Sequence, residues 1–319
     1  MSDLIEIEVA LIEEECPGVR SFRLVSSTQA PLPQPQPGAH IDVHIPNGIV
    51  RQYSICSSST DRSGYTIALK REPESRGGSS WMHDKVRPGD RLRISPPRNN
   101  FSVASEANHA LLLAGGIGIT PIFSIAQALS DAGRDFRLHY FAQSTAHFAF
   151  KSVLSAAPFA TRTEFHPGCS PSETTQRLDA LLATVEDEAD TTVYACGPAP
   201  FLEVILARTS SWPKFRVRYE RFSNAGAADQ SSNDGFHVEL AKKGATYWVQ
   251  ADESIVDVLR ANGIEVDTAC EEGVCGTCIT KLLAGEVDHK DLVLSEVEQR
   301  DSLTICVSRA KGGKITIDL

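Results

Sequence analysis

The sequence predicts a multidomain protein, with an antiparallel β-barrel domain first, an α/β domain second and an α+β domain last. Three observations indicate this. Short alternating segments broken by Pro, Gly and Ser fill residues 4–101, strands alternate with helical segments after residue 108, and the polar stretch SNAGAADQSSND precedes a third unit. The expected boundaries are 1–103 and 104–224 for the first two domains, 225–235 for a linker, and 236–319 for the third domain.

Composition and charge exclude several classes of protein. The chain has 319 residues, 41% of them hydrophobic and 23% charged, which is typical of globular domains with their own cores. It has no apolar run near the roughly 18 residues of a membrane span, and its net charge of -10 argues against nucleic acid or an anionic membrane as partner. Since the N-terminus shows no signal peptide, we expect a cytoplasmic location. We also expect a monomer that binds neither nucleic acid nor membrane.

The first domain reads as short strands, among them IEIEVALIEE, VRSFRLVS, HIDVHIPNG, YTIALKRE and DRLRISPP. Alternation of apolar and polar residues between turn signals favours an antiparallel barrel or sandwich. On one of these strands stands Arg51-Gln52-Tyr53-Ser54. A cation, an aromatic ring and a hydroxyl are groups that a flavin phosphate and ring need, although such a run also suits an ordinary surface strand. A glycine loop further on, Arg76-Gly77-Gly78-Ser79, offers a second phosphate cradle.

The second domain opens with LLLAGGIGITP, a buried strand that runs through glycines into a helix. We expect Thr120 to cap that helix and Pro121 to be its first residue. A glycine loop at a helix N-terminus binds anions, although any tight turn favours glycine. A second strand end, Tyr194 to Pro198, should open at the same sheet edge, so that the two ends form one dinucleotide cleft. Gln143, Ser144 and Thr145 stand where an acid would grip a ribose diol, and without a basic pair there NADH is favoured over NADPH.

The third domain contains a cysteine cluster. It follows a predicted hairpin, FHVELA and ATYWVQA, and a helix that Ser254 caps, with Asp257 completing a capping box, and that Gly263 ends. The pattern Cys270-x4-Cys275-x2-Cys278, with Cys306 on a distant strand, is the plant-type 2Fe-2S spacing. Gly273, Gly276 and Thr277 would let the backbone approach the cluster closely. Structural zinc, which usually takes two short-spaced pairs, and unligated core cysteines are the alternatives.

With these motifs in place, the chain resembles the phthalate dioxygenase reductase family, the flavin and iron-sulfur reductases of Rieske-type aromatic oxygenases. The resemblance covers nearly the whole length and includes RQYS, RGGS, AGGIGITP, CGP, CEEGVCGTC and the ending CVSRAKGGKITIDL. It implies an FMN-binding β-barrel domain, a NAD-binding α/β domain and a ferredoxin domain of the β-grasp type. It also implies the cofactors FMN, NADH and a 2Fe-2S cluster, and a Rieske-type oxygenase as the protein that accepts the electrons.

The resemblance also assigns site residues. The metal ligands would be Cys270, Cys275, Cys278 and Cys306, and Phe222 would cover the flavin near the nicotinamide. Ser54 and Cys196 are the candidates whose loss should slow hydride transfer, although each could be a packing residue. The residues expected to bind FMN or NADH are Arg51, Gln52, Tyr53, Ser54, Ala68, Lys70, Arg76, Gly77, Gly78, Ser79, Gly116, Gly118, Thr120, Pro121, Cys196, Gly197, Pro198 and Phe222.

The expected function is that of the reductase component of an aromatic-ring oxygenase or demethylase. NADH gives up two electrons together and a 2Fe-2S cluster accepts one at a time, so a flavin between them is required. A reductase for a different iron protein, such as a cytochrome monooxygenase, and a redox-sensing module without turnover are the alternatives. Four histidines, His83, His139, His166 and His289, have no partner at ligand spacing along the chain and are expected to be ordinary core or surface residues.

Overall fold

The structure is a computed structural model, and it describes residues 4–28, 30–46, 49–72, 77–104, 109–222 and 235–319. Within it the chain divides into two compact units, Met1–Arg221 and Phe222–Leu319. Arg76 and most of the expected linker lie outside the described residues. No helix in the described part of the chain is long and apolar enough to cross a bilayer.

The first unit begins with an antiparallel sheet in the order β4-β3-β6-β1-β2-β5. A bridge between Ile55 and Ile67 joins its two ends, which decides between the barrel and the sandwich in favour of the predicted barrel. Alternate side chains of the strands fill the interior. The elements are β1 (Ile5–Cys16), β2 (Val19–Ser26), β3 (His40–His44), β4 (Val50–Ser54), β5 (Gly64–Lys70), helix α1 (Gly78–Lys85) and β6 (Arg91–Ile94).

A parallel sheet in the order β11-β10-β7-β8-β9 completes the first unit. The chain runs from β7 through β8 to β9 on one side and returns to β10 and β11 on the other, so the sheet reverses direction between β7 and β10. Its elements are β7 (His109–Gly115), α2 (Ile119–Asp131), β8 (Asp135–Ala142), α3 (Lys151–Leu154), β9 (Thr163–Pro167), α4 (Pro171–Ala183), β10 (Thr191–Cys196), α5 (Ala199–Arg208) and β11 (Val217–Glu220).

One hydrophobic core is shared by the parallel sheet and one side of the barrel, beside the barrel's own interior. Cys16, Cys56, Ala68 and Phe101 of the barrel pack in the same cluster as the apolar residues of β7 and α2. Gln127 of α2 also donates from its side-chain Nε2 to the Cys56 carbonyl at 2.8 Å. The boundary expected at 103/104 therefore stays a prediction, since barrel residues and residues of the parallel-sheet part pack together across it.

The second unit has a mixed sheet in the order β13-β12-β18-β14-β16, onto which one helix packs. The predicted hairpin is β12 with β13. The predicted capping box is also confirmed, because Ser254 and Asp257 each accept the other's backbone N–H at the start of α6. Its elements are β12 (Phe236–Leu240), β13 (Ala245–Val249), α6 (Ile255–Ala261), β14 (Ile279–Ala284), β15 (Val287–Asp288), β16 (Ser302–Thr304), β17 (Arg309–Ala310) and β18 (Lys314–Ile317).

Candidate active site

The two predicted glycine-containing strand ends meet at the reversal point of the parallel sheet. β7 and β10 are neighbours in parallel register, with Ala114 opposite Cys196. Their loops are in backbone contact: a Cβ on Gly118 would lie 2.7 Å from the Gly197 nitrogen and closer still to the Cys196 carbonyl. Side chains are excluded there, because backbone on both sides cannot move away. The cleft predicted from Gly116, Gly118, Cys196, Gly197 and Pro198 is thus assembled in one place.

The expected start of the helix in this cleft is wrong. A 3-10 turn, Gly116–Gly118, continues directly into α2, whose first residue is Ile119 and whose N-cap is Gly118. Thr120 therefore lies inside the first turn, and its hydroxyl donates to the Ile117 carbonyl at 3.1 Å instead of capping. Thr120 is buried, and Pro121 is the third helical residue, where its missing N–H is still tolerated.

Ser54 and Cys196 converge on a third residue that sequence reasoning missed, Glu220. Ser54 is buried at the end of β4, and its hydroxyl donates to a Glu220 carboxyl oxygen at 3.4 Å. Cys196 and Glu220 are opposite each other on β10 and β11. His40, which pairs with Ser54 across β3 and β4, places Nδ1 4.0 Å from the other Glu220 oxygen. The barrel strand and the parallel sheet therefore meet at this carboxyl.

Burial sets the protonation of these groups. The Glu220 side chain is only 13% exposed, and desolvation raises its pKa to about 8. Burial, with the Arg98 charge nearby, lowers the pKa of His40 to about 4. The pKa of Cys196 lies well above its usual value, chiefly through burial and also through the Glu220 charge. At neutral pH the junction is accordingly an uncharged cluster of hydrogen-bonding groups in a low-dielectric setting.

We expect Glu220 to make the protein less stable as the pH rises. The folded chain keeps a proton on this carboxyl up to about pH 8, whereas the unfolded chain releases it near its ordinary pKa of 4.5. The stabilisation is therefore fully present below about pH 4.5 and is lost as the pH passes about 8, with a slope of up to about 1.4 kcal/mol per pH unit. In thermal unfolding, the Tm of Glu220→Gln minus the Tm of the wild type should increase as the pH rises from about 4.5 to about 8. Glu203→Gln, an exposed change on α5, is the control, and a constant Tm difference for Glu220→Gln would contradict the shift.

The two predicted flavin motifs are brought together in the barrel. The Arg51 side chain packs on the start of α1, where a Cβ on Gly78 would lie 2.6 Å from its Cγ. The Ser79 hydroxyl at that helix start accepts the Glu72 backbone N–H at 3.1 Å. Tyr53 lies two residues after Arg51 on β4, and its enclosed hydroxyl has no hydrogen-bond partner among the described residues. Burial raises the pKa of Tyr53, which keeps the phenol protonated. An enclosed hydroxyl without a partner is costly, so Tyr53 fits a site that a polar ligand such as FMN completes.

Other expected cofactor-binding residues are placed less directly. Ala68 is buried in the shared core, and Lys70 is exposed and pairs with Glu72 at 2.8 Å. Gln52 and Gly77 lie beside the residues just described, on β4 and at the start of α1. Phe222 is 40% exposed at the start of the second unit, and its role as a flavin cover stays a prediction. At Gly116, with a φ of 55°, no heavy atom lies within 4 Å of the Cβ position, which leaves room for a nucleotide.

The four predicted ligand cysteines lie together in the second unit as two pairs. The Sγ atoms of Cys278 and Cys306 are 3.1 Å apart, and the Cys270 thiol hydrogen-bonds to Cys275, which lowers the pKa of Cys275. Backbone N–H groups face the sulfurs: that of Glu272 donates to Cys270 at 3.3 Å. Gly273 takes a φ of 69°, and a Cβ there would strike Val307. Two cysteine pairs with backbone N–H groups directed at their sulfurs fit a 2Fe-2S cluster, with one pair for each iron.

Comparison with known proteins agrees with this arrangement. Residues 238–311 match the family model described as a 2Fe-2S iron-sulfur cluster binding domain. A vanillate O-demethylase oxidoreductase from Pseudomonas sp. strain HR199 is 39% identical over 321 residues, which cover 99% of this chain and 100% of that protein. The solved phthalate dioxygenase reductase, described as a modular structure for electron transfer from pyridine nucleotides to [2Fe-2S], matches with a TM-score of 0.81 and 34% identity over 99% of this chain and 98% of that one. The chain belongs to the phthalate dioxygenase reductase family.

Membership in the phthalate dioxygenase reductase family confirms the predicted fold class, the oxidoreductase chemistry and the cofactors FMN, NADH and 2Fe-2S. A self-sufficient cytochrome P450 monooxygenase is also similar, with a TM-score of 0.79 and 34% identity over 99% of this chain but 41% of that one. The same reductase architecture therefore also occurs inside a longer haem protein. The assignment of individual residues of this chain to each cofactor stays a prediction, which the geometry above supports.

Proposed function

We propose that this chain is the reductase component of a Rieske-type aromatic-ring oxygenase or demethylase system. It would take electrons from NADH and deliver them one at a time to the oxygenase. The observation that carries the proposal is the junction at Glu220, where the end of the flavin-motif strand β4 meets the end of the nucleotide-motif strand β10. When bound, FMN supplies the exchange between a two-electron hydride donor and a one-electron acceptor.

The chain's own residues would orient the reacting groups and exclude water. Arg51 and the start of α1 would hold the flavin phosphate, Tyr53 would hydrogen-bond to the flavin, and the open backbone at Gly116 would hold the nucleotide. Ser54 and Cys196, which are buried, and Glu220, whose side chain is 13% exposed, would lie between them and keep water from the site of hydride transfer. The cysteine pairs would hold the cluster that passes single electrons onward.

An anaerobic titration of the purified holoprotein with NADH tests the function. Flavin bleaching together with loss of cluster absorbance, with one FMN and two irons per chain, is the expected result. Turnover with an artificial electron acceptor would separate a reductase from a redox-sensing module, because a sensor need not turn over. A cluster that NADH does not reduce would contradict the proposal.

We expect Ser54→Ala to slow flavin reduction by NADH by about five- to tenfold, the effect of losing one hydrogen bond worth about 1 kcal/mol at the reacting groups. Stopped-flow measurement of flavin reduction checks this. Ser27→Ala, on the same barrel but just after β2, is the matched control. An unchanged rate of flavin reduction in Ser54→Ala would show that Ser54 is a packing residue with no part in hydride transfer.

The acceptor protein has a second candidate. The similarity to a self-sufficient cytochrome P450 monooxygenase favours a haem protein as the alternative acceptor. Reduction rates of a purified Rieske oxygenase and of a purified P450 by the same holoprotein would decide between them. The monomeric state and the cytoplasmic location stay predictions.

A further inference from the structure

A cluster of metal-ligating side chains lies outside the sites described so far, at the edge of the parallel sheet. His139 on β8 is directly opposite Glu164 on the edge strand β9, and His166 follows Glu164 on the same face. His139 Nδ1 lies 3.1 Å from His166 Nε2 and 3.6 Å from one Glu164 oxygen. The other Glu164 oxygen lies 3.7 Å from His166 Nε2. One ligand atom from each of the three residues thus lies within 4.8 Å of the other two.

These separations match a tetrahedral metal site. Bonds of about 2.0–2.1 Å from zinc to imidazole nitrogen or carboxylate oxygen place neighbouring ligand atoms about 3.3–3.4 Å apart. The two nitrogens are 3.1 Å apart, and each lies 3.6 or 3.7 Å from a different oxygen of the Glu164 carboxylate, close to that value. Two imidazoles and one carboxylate, with a fourth position left open, form a donor set that zinc takes in proteins.

The site is rigid on one side and open on the other. His139 and His166 are buried, and the ring of Phe141 stacks on that of His166 with centroids 4.3 Å apart. Glu164, in contrast, has a 62% exposed side chain. An ion can therefore enter from solvent past Glu164 and meet two imidazoles whose positions are already fixed, which lowers the entropy lost on binding.

Arg177 on α4 opposes metal binding. Its Nη1 lies 3.3 Å from His166 Nδ1, and because an arginine can only donate, Nδ1 must accept. His166 Nε2 then carries the hydrogen and donates to His139 Nδ1. A metal on Nε2 requires the hydrogen to move to Nδ1, where it would face the Arg177 donor. The exposed Arg177 side chain would have to turn away before the ion binds.

We propose that His139, Glu164 and His166 bind a Zn²⁺ ion that joins the edge strand β9 to β8, and that Arg177 weakens this binding. The proposal does not rest on the proposed function, since none of these residues belongs to the flavin, nucleotide or cluster site.

Equilibrium dialysis of the holoprotein against Zn²⁺, followed by metal analysis, tests it. Iron content is measured in parallel to show that the 2Fe-2S cluster is intact. We expect the wild type to bind one zinc per chain, Glu164→Gln to bind it at least about tenfold more weakly, and His139→Ala to lose it. Arg177→Ala should bind about tenfold more tightly, because a competing donor and a positive charge are gone.

Two controls separate this site from adventitious zinc binding. Glu203→Gln removes an exposed carboxylate on α5, and Cys169→Ser removes the partly exposed thiol just beyond β9; both should bind zinc like the wild type. Zinc should also raise the Tm of the wild type more than that of Glu164→Gln, which keeps the test valid if His139→Ala fails to fold. Equal affinities in wild type and Glu164→Gln, or an unchanged affinity in Arg177→Ala, would overturn the proposal.

Discussion

Cys306→Ser is expected to lower NADH-dependent reduction of a protein acceptor such as cytochrome c by at least about a hundredfold, because loss of a metal ligand releases the cluster. Flavin reduction by NADH should stay within about twofold of the wild type, since the expected flavin and nucleotide residues other than Phe222 belong to the other compact unit. Acceptor reduction and stopped-flow flavin reduction, measured on one preparation, check both halves of this expectation.

The control for this change is Cys169→Ser, a cysteine in the first unit that is placed far along the chain from the ligand loop. It should keep two irons per chain and normal acceptor reduction. If Cys306→Ser also kept its iron and its acceptor rate, the fourth ligand would have to be another residue, and the pairing of Cys278 with Cys306 at 3.1 Å would have no ligand role.

Gly118→Ala is expected to lower kcat/KM for NADH by about a hundredfold, the effect of moving reacting groups by about 1 Å. The φ of Gly118 is -60°, so alanine fits the local backbone. Its methyl group, however, would overlap the Cys196 carbonyl and lie 2.7 Å from the Gly197 nitrogen. The only relief is to separate the ends of β7 and β10, and overpacking of this kind costs about 1–3 kcal/mol. Steady-state kinetics with NADH and a dye acceptor, with Tm on the same samples, measure both effects.

Gly133→Ala is the control that separates an effect of lower stability from an effect of displacing the ends of β7 and β10. Gly133, after α2, has a φ of 65° and no heavy atom within 4 Å of its Cβ position. Alanine there costs about 1–2 kcal/mol of backbone strain and touches nothing in the cleft. We expect a lower Tm with an unchanged kcat/KM. Equal losses of kcat/KM in the two variants would mean that instability alone, and no contact between the loops, explains the Gly118 effect.

The sequence predicts those parts of the site that consist of residues close together in the chain. The cysteine loop needs three ligands within a few residues, and its spacing identifies it without a fold. The glycine loops are similarly local, and their meeting follows from one general property, that the carboxyl ends of neighbouring parallel strands lie at the same edge. These parts can therefore be located from the sequence alone.

The parts that were missed depend on which strands are neighbours. Glu220 lies opposite Cys196 only because β11 pairs with β10, and it reaches Ser54 only because the barrel packs against that edge. His139 and His166 are separated by a helix in the chain and meet through the pairing of β8 with β9. Sequence reasoning misplaces the start of α2 because a threonine before a proline resembles an N-cap, whereas the 3-10 turn Gly116–Gly118 already leads into the helix.

The shared core of the barrel and the parallel sheet has a consequence for synthesis on the ribosome. When residues 1–103 have left the exit tunnel, Cys56, Ala68 and Phe101 still lack the partners that cover them in the complete chain. Those partners arrive only with β7 and α2, about thirty residues later at a rate of roughly 5–20 residues per second. For that interval the nascent barrel presents an apolar face, and a chaperone that binds exposed apolar surface is expected to protect it until α2 docks.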